Sequence, residues 1–279
     1  LRSPILLILM LWVPSCAPVD ALNAVVPTDG IRIERNLAYG ENSRQALDLY
    51  LPHAVHRDTP VVVFLYGGSW QRGERADYLF VGEGLASLGY IVAIPDYRLY
   101  PEVIYPEFLY DSAAAMAWVY RHIGRYGGDG RNLYVIGHSA GAYNAVMLAL
   151  SPRFLNRYGV STRALRGVIG MAGPYDFLPL KSKKLNAIFT PLHAQEGMEP
   201  VNNVRRRAPR MLLLTGGDDA VVWPDNSRKR HDALKKLGND VTLKTYDGVG
   251  HYGIAVGLAT PVVWNQQVRE DIRRFISGD

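Results

Sequence analysis

Asn132-Leu133-Tyr134-Val135-Ile136 runs directly into Gly137-His138-Ser139-Ala140-Gly141, and the chain continues as Ala142-Tyr143-Asn144-Ala145-Val146-Met147-Leu148-Ala149-Leu150. An apolar run, a turn with glycine at both ends and a helix-forming stretch place Gly-x-Ser-x-Gly in a strand–turn–helix setting. Such a turn is tight enough to strain the serine backbone and to forbid side chains two residues to either side. It lifts the hydroxyl of Ser139 to the end of a strand, where the dipole of the following helix favours negative charge. A glycine-rich helix start with Ser139 as its cap is the bland alternative, and the strand before it argues against that reading.

Outward from this turn, strand-like and helix-like segments alternate, the pattern of an α/β fold with a largely parallel sheet. Continuous apolar runs at 61–66, 90–95, 132–136, 165–171, 211–215 and 241–246 read as strands covered on both faces. Segments 31–37 and 45–51 alternate apolar and polar residues and read as an antiparallel pair at one edge. Helices are expected at 77–88, 106–126, 139–150, 227–237 and 261–276; in the second, Phe108, Ala115, Trp118, Val119 and His122 share a face. Residues 174–207 have no clear period and are too long for an ordinary connection, so they read as a cap inserted into one domain over 30–279.

A serine hydroxyl is a poor nucleophile at neutral pH and needs a histidine base oriented by a carboxylate. Downstream of Ser139 stand His193, His231 and His251. His193 falls in the cap, and His231 sits among Arg228, Lys229, Arg230 and Lys235 on a helix face that reads as solvated. His251 lies in Gly248-Val249-Gly250-His251-Tyr252-Gly253, just after the last strand, at the sheet edge where open α/β folds bind ligands. For the carboxylate, Asp218 and Asp219 compete at the end of the 211–215 strand. Asp219 is preferred, because Ala220-Val221-Val222 can close over it while Asp218 points outward or caps the turn. Tyr66-Gly67-Gly68-Ser69-Trp70 follows another strand; Gly67 and Gly68 could form a tight turn or present N–H groups to an oxyanion, with Ala140 as a third donor.

Composition sets the outer bounds. The 279 residues, 48% hydrophobic and 20% charged, exclude a disordered or fibrous chain and are enough to bury a core without staples. One cysteine, Cys16, excludes a disulfide framework and a cysteine-based zinc site. The net charge of +5 comes with no long basic stripe and no reading motif, which argues against nucleic acid as a partner. The cluster Arg205-Arg206-Arg207 reads as a solvated charge run. At the start of the chain, Arg2 and the apolar residues 5–13 precede Pro14-Ser15-Cys16-Ala17-Pro18, the layout of an export signal too short to span a bilayer. Residues 1–29 are thus read as export signal and arm. The lone Cys16 is similar to a lipoprotein attachment point, with membrane anchoring and a periplasmic or extracellular location as the corresponding expectations.

Four motifs in order resemble the α/β-hydrolase superfamily, in its esterase/lipase group of hormone-sensitive-lipase-like and formamidase-like carboxylesterases. They are Tyr66–Trp70, Asp96-Tyr97-Arg98-Leu99 with Pro101-Glu102, Gly137–Gly141, and 216–222 before Gly250-His251. The resemblance implies an α/β-hydrolase fold of about eight strands with a small cap, and no cofactor or metal. By it, Ser139 is nucleophile, His251 base, Asp219 its orienter, Gly67, Gly68 and Ala140 the oxyanion donors, and Asp96 and Arg98 structural. Two departures stand out. Tyr66 replaces the family's usual bracing histidine, and His138 replaces an aspartate, which favours the formamidase-like or feruloyl-esterase-like side. The expected activity is hydrolysis of short-chain or aromatic carboxylic esters through an acyl-enzyme. The alternatives are cleavage of an N-formyl aryl amide by the same triad, and a hydrolase-fold binding protein without turnover. The aromatic residues Trp70, Tyr143, Tyr175, Phe177, Trp223 and Tyr252 suit either substrate class or plain packing.

Overall fold

The computed structural model describes residues 18–180, 182–189, 198, 200, 203, 205–262 and 264–279. The apolar run at 5–13, Cys16 and His193 lie outside the described residues. In chain order the elements are α1 (Pro18–Ala24), β1 (Ile31–Ala38), β2 (Ala46–Pro52), β3 (Val61–Leu65), α2 (Leu79–Ala86), β4 (Ile91–Pro95), α3 (Glu107–His122), β5 (Leu133–His138), α4 (Ala140–Leu150), α5 (Pro152–Asn156), β6 (Leu165–Met171), α6 (Lys183–Phe189), β7 (Met211–Gly216), α7 (Asp225–Lys236), β8 (Val241–Tyr246), α8 (Gly253–Val256) and α9 (Gln266–Ser277). Short 3₁₀ turns precede α2 at Arg75–Tyr78 and follow α3 at Ile123–Tyr126, so the helical stretches expected there begin or end in tighter coil.

The strands form one eight-stranded sheet in the order β1-β2-β4-β3-β5-β6-β7-β8. β1 pairs with β2 and β2 with β4 antiparallel; every other pairing is parallel. The order reverses at β3: from it the chain steps to β4 on one side and then returns to place β5 on the other. That reversal opens a crevice at the carboxyl ends of β3 and β5, where ligands enter folds of this class. The loop after β3 carries Gly67 and Gly68, and the turn after β5 carries Ser139. The ends of β7 and β8 on the same edge carry Asp219 and His251.

Burial explains the strand sequences. β3, Val-Val-Val-Phe-Leu, is buried throughout, as is β5. β2 departs from its alternating pattern: Ala46 to Leu51 are all buried. It is an inner strand, and α2 lies so close over it that a Cβ on Gly82 would sit 2.6 Å from the Tyr50 ring. The charge this buries, Asp48, is neutralised by Arg75 at 2.9 Å and Arg35 at 3.2 Å; alone it would cost several kcal/mol. α4 is buried on every side, matching its apolar sequence. On α3, Phe108, Ala115 and Val119 are buried, while Trp118 and His122 lie at the margin.

The arm ahead of β1 is packed on the domain. Asn23 on α1 donates to the carbonyl oxygens of Ala76 and Asp77 and accepts from the Phe80 N–H, and Val26 is buried. Within 174–207, α6 ends on the buried pair Ile188 and Phe189, and Met198 is buried as well. No helix among the described residues is long and apolar enough to cross a membrane.

Candidate active site

Ser139 sits at φ 53°, ψ −121°, a conformation that costs a non-glycine residue about 1–3 kcal/mol. The glycines two residues away make the turn possible. A Cβ on Gly137 would lie 2.2 Å from the Gly141 carbonyl oxygen, and one on Gly141 would lie 1.9 Å from that of Leu65. Strand and helix close on the turn from both sides, and only a hydrogen fits at either position. The Ser139 N–H donates to the Met171 carbonyl at 2.9 Å, tying the turn to β6.

The three side chains meet. His251 Nε2 is 2.9 Å from Ser139 Oγ, and His251 Nδ1 is 2.8 Å from Asp219 Oδ2. Both Asp219 and His251 are buried. The second carboxylate oxygen, Asp219 Oδ1, accepts the N–H groups of Val221 at 2.9 Å and Val222 at 2.8 Å. Burial pushes the Asp219 carboxyl up, but the His251 hydrogen bond and those two N–H groups outweigh it and hold the acid below its ordinary range. Of the two competing aspartates, it is Asp219 that lies against His251, while Asp218 is exposed. Ala220 and Val221 are exposed, and what Val221 and Val222 give the acid is their backbone N–H groups.

Gly67 lies against Ser139: a Cβ there would be 2.9 Å from Ser139 Cβ. Gly68 has φ +123°, and a Cβ on it would meet the Arg72 carbonyl oxygen at 2.0 Å, so glycine is obligatory in this loop. Ala140 opens α4, where the first N–H groups have no intrahelical acceptor. Ser69 and Trp70 continue the loop at φ 55° and 57°. Trp70 Nε1 donates to Asn144 Oδ1 at 3.0 Å, which fastens the loop to the helix that starts at Ser139. Asn144 escaped sequence reading, since a lone asparagine in an apolar helix signals only that it must find a partner.

Tyr66 braces this loop through its phenol. Its OH donates to Asp96 Oδ1 at 2.7 Å and accepts from Arg44 Nη2 at 2.8 Å, while the Tyr97 OH donates to the Tyr66 carbonyl at 2.8 Å. The ring stacks on Tyr78 and Tyr97 at 5.2 and 4.9 Å. Asp96 also pairs with Arg75, and Arg98 clasps Asp111 through two hydrogen bonds at 2.7 and 2.8 Å, so Asp96 and Arg98 are structural. Of the other candidates, His231 Nδ1 faces Asp232 on α7 and makes no hydrogen bond to Ser139, Asp219 or His251. Arg206 and Arg207 are exposed. Among the described residues no group of three or more His, Cys, Asp or Glu side chains could hold a metal ion.

His138 packs against His251. Its Nε2 is 2.9 Å from the His251 carbonyl oxygen, and the two rings lie 5.0 Å apart. A carbonyl only accepts, so His138 carries its proton on Nε2. Burial, and then the charge His251 would carry, push the His138 imidazole down from 6.5 to about 4. A base whose folded value lies below its unfolded one stabilises the fold fully above the unfolded value and loses that contribution as pH falls toward the folded one. Between pH 7 and 4.5 the chain is expected to lose about 2 to 3 kcal/mol through this residue. His138→Gln keeps a donor for the His251 carbonyl but does not titrate. Urea unfolding at the two pH values should show a smaller acid loss in the variant than in the parent; equal losses contradict the assignment.

The BD-FAE family model matches residues 47–234. The chain belongs to the BD-FAE family. BD-FAE is an α/β-hydrolase esterase family, and its match runs from β2 into α7. It includes Gly67, Gly68, Ser139 and Asp219 and stops short of His251. An isoprenylcysteine α-carbonyl methylesterase of Arabidopsis thaliana is 30% identical over 243 residues, covering 79% of this chain and 56% of that protein. The chain spans little more than half the length of the plant methylesterases it matches. A kynurenine formamidase of Salmo salar is 29% identical over 232 residues, covering 78% of this chain and 74% of the relative. Among solved structures, esterase B of Lactobacillus rhamnosis with a tributyrin phosphonate inhibitor superposes with a TM-score of 0.81 at 21% identity, over 93% of this chain and 90% of that one. This last likeness is one of fold, and it identifies the BD-FAE chain as an α/β-hydrolase fold with its eight-stranded, mostly parallel sheet.

Proposed function

We propose that this BD-FAE protein is a serine carboxylesterase that hydrolyses short-chain or aromatic carboxylic esters through an acyl-enzyme on Ser139. The observation that carries the reading is the chain of contacts from Asp219 through His251 to Ser139, at 2.8 and 2.9 Å. Ser139 Oγ attacks the ester carbonyl carbon as its proton passes to His251 Nε2, and Asp219 stabilises the imidazolium. The oxyanion settles among the N–H groups of Gly67, Gly68 and Ala140, each donor contributing about 2.7–4 kcal/mol. His251 then gives its proton to the departing alkoxide, which leaves the acyl group on Ser139. Water, deprotonated by the same imidazole, attacks that acyl carbon and restores the serine. Export of the chain, with residues 5–13 as its signal, belongs to the same reading.

The formamidase relative makes N-formyl aryl amides the informative competitor. Matched aryl formates and N-formyl aryl amides, assayed by kcat/KM on one preparation, are expected to favour the ester by at least about tenfold. A preference for the amide assigns the triad to amide hydrolysis instead.

A further inference from the structure

Ser139 stands between two apolar regions of opposite character. On the Gly67 side the loop leads within three residues to Trp70, whose ring lies 4.8 Å from Phe189, 5.2 Å from Tyr143 and 5.6 Å from Phe108. These rings are closed over: Trp70 is 3% exposed, and Phe108, Tyr143 and Phe189 are fully buried. Phe189, from the end of α6, fills the middle of this group, so protein already occupies the space.

The His251 side is open. Val221 is 62% exposed, Trp223 70%, Tyr252 63% and Trp264 53%, and of the large apolar side chains exposed among the described residues only Val25 lies elsewhere. Val221 and Trp223 follow Asp219 on one loop and Tyr252 follows His251 on the other, and the 2.8 Å Asp219–His251 bond ties the two loops together. The Tyr252 ring stands edge-on to His251 at 5.2 Å, and Trp264 backs the loop where a Cβ on Gly253 would come within 3.3 Å of its ring. Exposed apolar side chains concentrated at one place mark a binding surface.

The chemistry decides which part of the substrate lands there. His251 Nε2 must protonate the departing oxygen, so that oxygen lies over the imidazole and its substituent continues past His251. The acyl chain leaves the carbonyl carbon away from His251, and the rings around Trp70, already filled by Phe189, offer it little depth. We infer that Val221, Trp223 and Tyr252 form a landing for a large, uncharged, apolar alcohol group, and that the preferred ester joins such an alcohol to a short acyl group. This inference rests on the esterase reading above.

Acetate esters of straight-chain alcohols from ethanol to octanol test it, because their leaving groups are of near-equal acidity. In the parent, kcat/KM is expected to rise about twofold per methylene, less than the roughly fourfold of full burial because the landing is open on one side. Ethyl esters of lengthening acids are expected to fall beyond about four acyl carbons. Trp223→Ala should flatten the alcohol series and leave the acyl series unchanged in shape; Tyr252→Ala, nearer the base, should flatten it too. Fluorophosphonate labelling of Ser139 separates the two levels of the argument. A labelled enzyme with a flat alcohol series, or with the same slope in Trp223→Ala, overturns this inference alone, as does sedimentation showing that Trp223 instead joins two copies of the chain. Failure of Ser139 to label overturns the esterase reading and this inference with it.

Discussion

Ser139→Ala should lower kcat on a p-nitrophenyl ester by about 10⁶-fold, and His251→Ala should lower it nearly as far. In the proposed mechanism the Ser139 hydroxyl bonds to carbon, and His251 Nε2, 2.9 Å away, takes its proton. Either loss breaks the same step, so the double variant is expected to be no slower than the worse single one. Alanine can take the serine's place without unfolding the turn, because the backbone is held by Gly137, Gly141 and the Ser139 N–H bond to Met171 rather than by the hydroxyl. Thermal melts of parent and variant should therefore agree within a few degrees, and steady-state kinetics on the matched pair give the ratio. Hydrolysis surviving unchanged in folded Ser139→Ala would end the assignment of nucleophile.

The parts of this site that the sequence disclosed are those fixed by neighbours along the chain. Gly137 and Gly141 are read directly because a turn of five residues leaves no alternative conformation, and the apolar strands before Gly67, Ser139, Asp219 and His251 place all of them at carboxyl ends of one sheet. Contacts made across the fold were not legible. Arg44 reaches Tyr66 from another segment, Asn144 meets Trp70 over a gap of 74 residues, and His138 meets the His251 carbonyl over 113. None of these pairs leaves a local pattern. β2 misled through Asp48, since alternation records a polar side chain but not the two arginines that allow it to be buried. α6 was invisible for a related reason: its outer residues are exposed and only Ile188 and Phe189 are buried, too short a stripe to register as a period. The aromatic residues divide in the same way. Trp70, Tyr143 and Tyr175 are core, Trp223 and Tyr252 are surface, and composition alone treats them alike.

Asp219→Asn is the sharper test of the geometry, because the carboxylate oxygens have different duties. Oδ1 accepts two backbone N–H groups, from Val221 and Val222, and Oδ2 faces His251 Nδ1. An asparagine must keep its carbonyl oxygen on the two backbone donors, since turning the amide would set its NH₂ against them. Its NH₂ then points at His251 Nδ1, which has to be unprotonated to accept. The ring proton moves to Nε2, directed at Ser139 Oγ, and the imidazole can no longer take the serine's proton. A loss of about 10⁴-fold in kcat is expected with little change in thermal stability at neutral pH, because the backbone bonds to the side chain persist. The corresponding change at the exposed Asp218 should stay within about twofold. Nitrogen-15 shifts of His251 supply the readout that a merely structural role would leave unmoved: they should report a proton on Nδ1 in the parent and on Nε2 in Asp219→Asn. An active Asp219→Asn enzyme, or an unchanged tautomer, would mean that the acid does not orient the base, and Asp219 would then have only the structural task of closing its own turn.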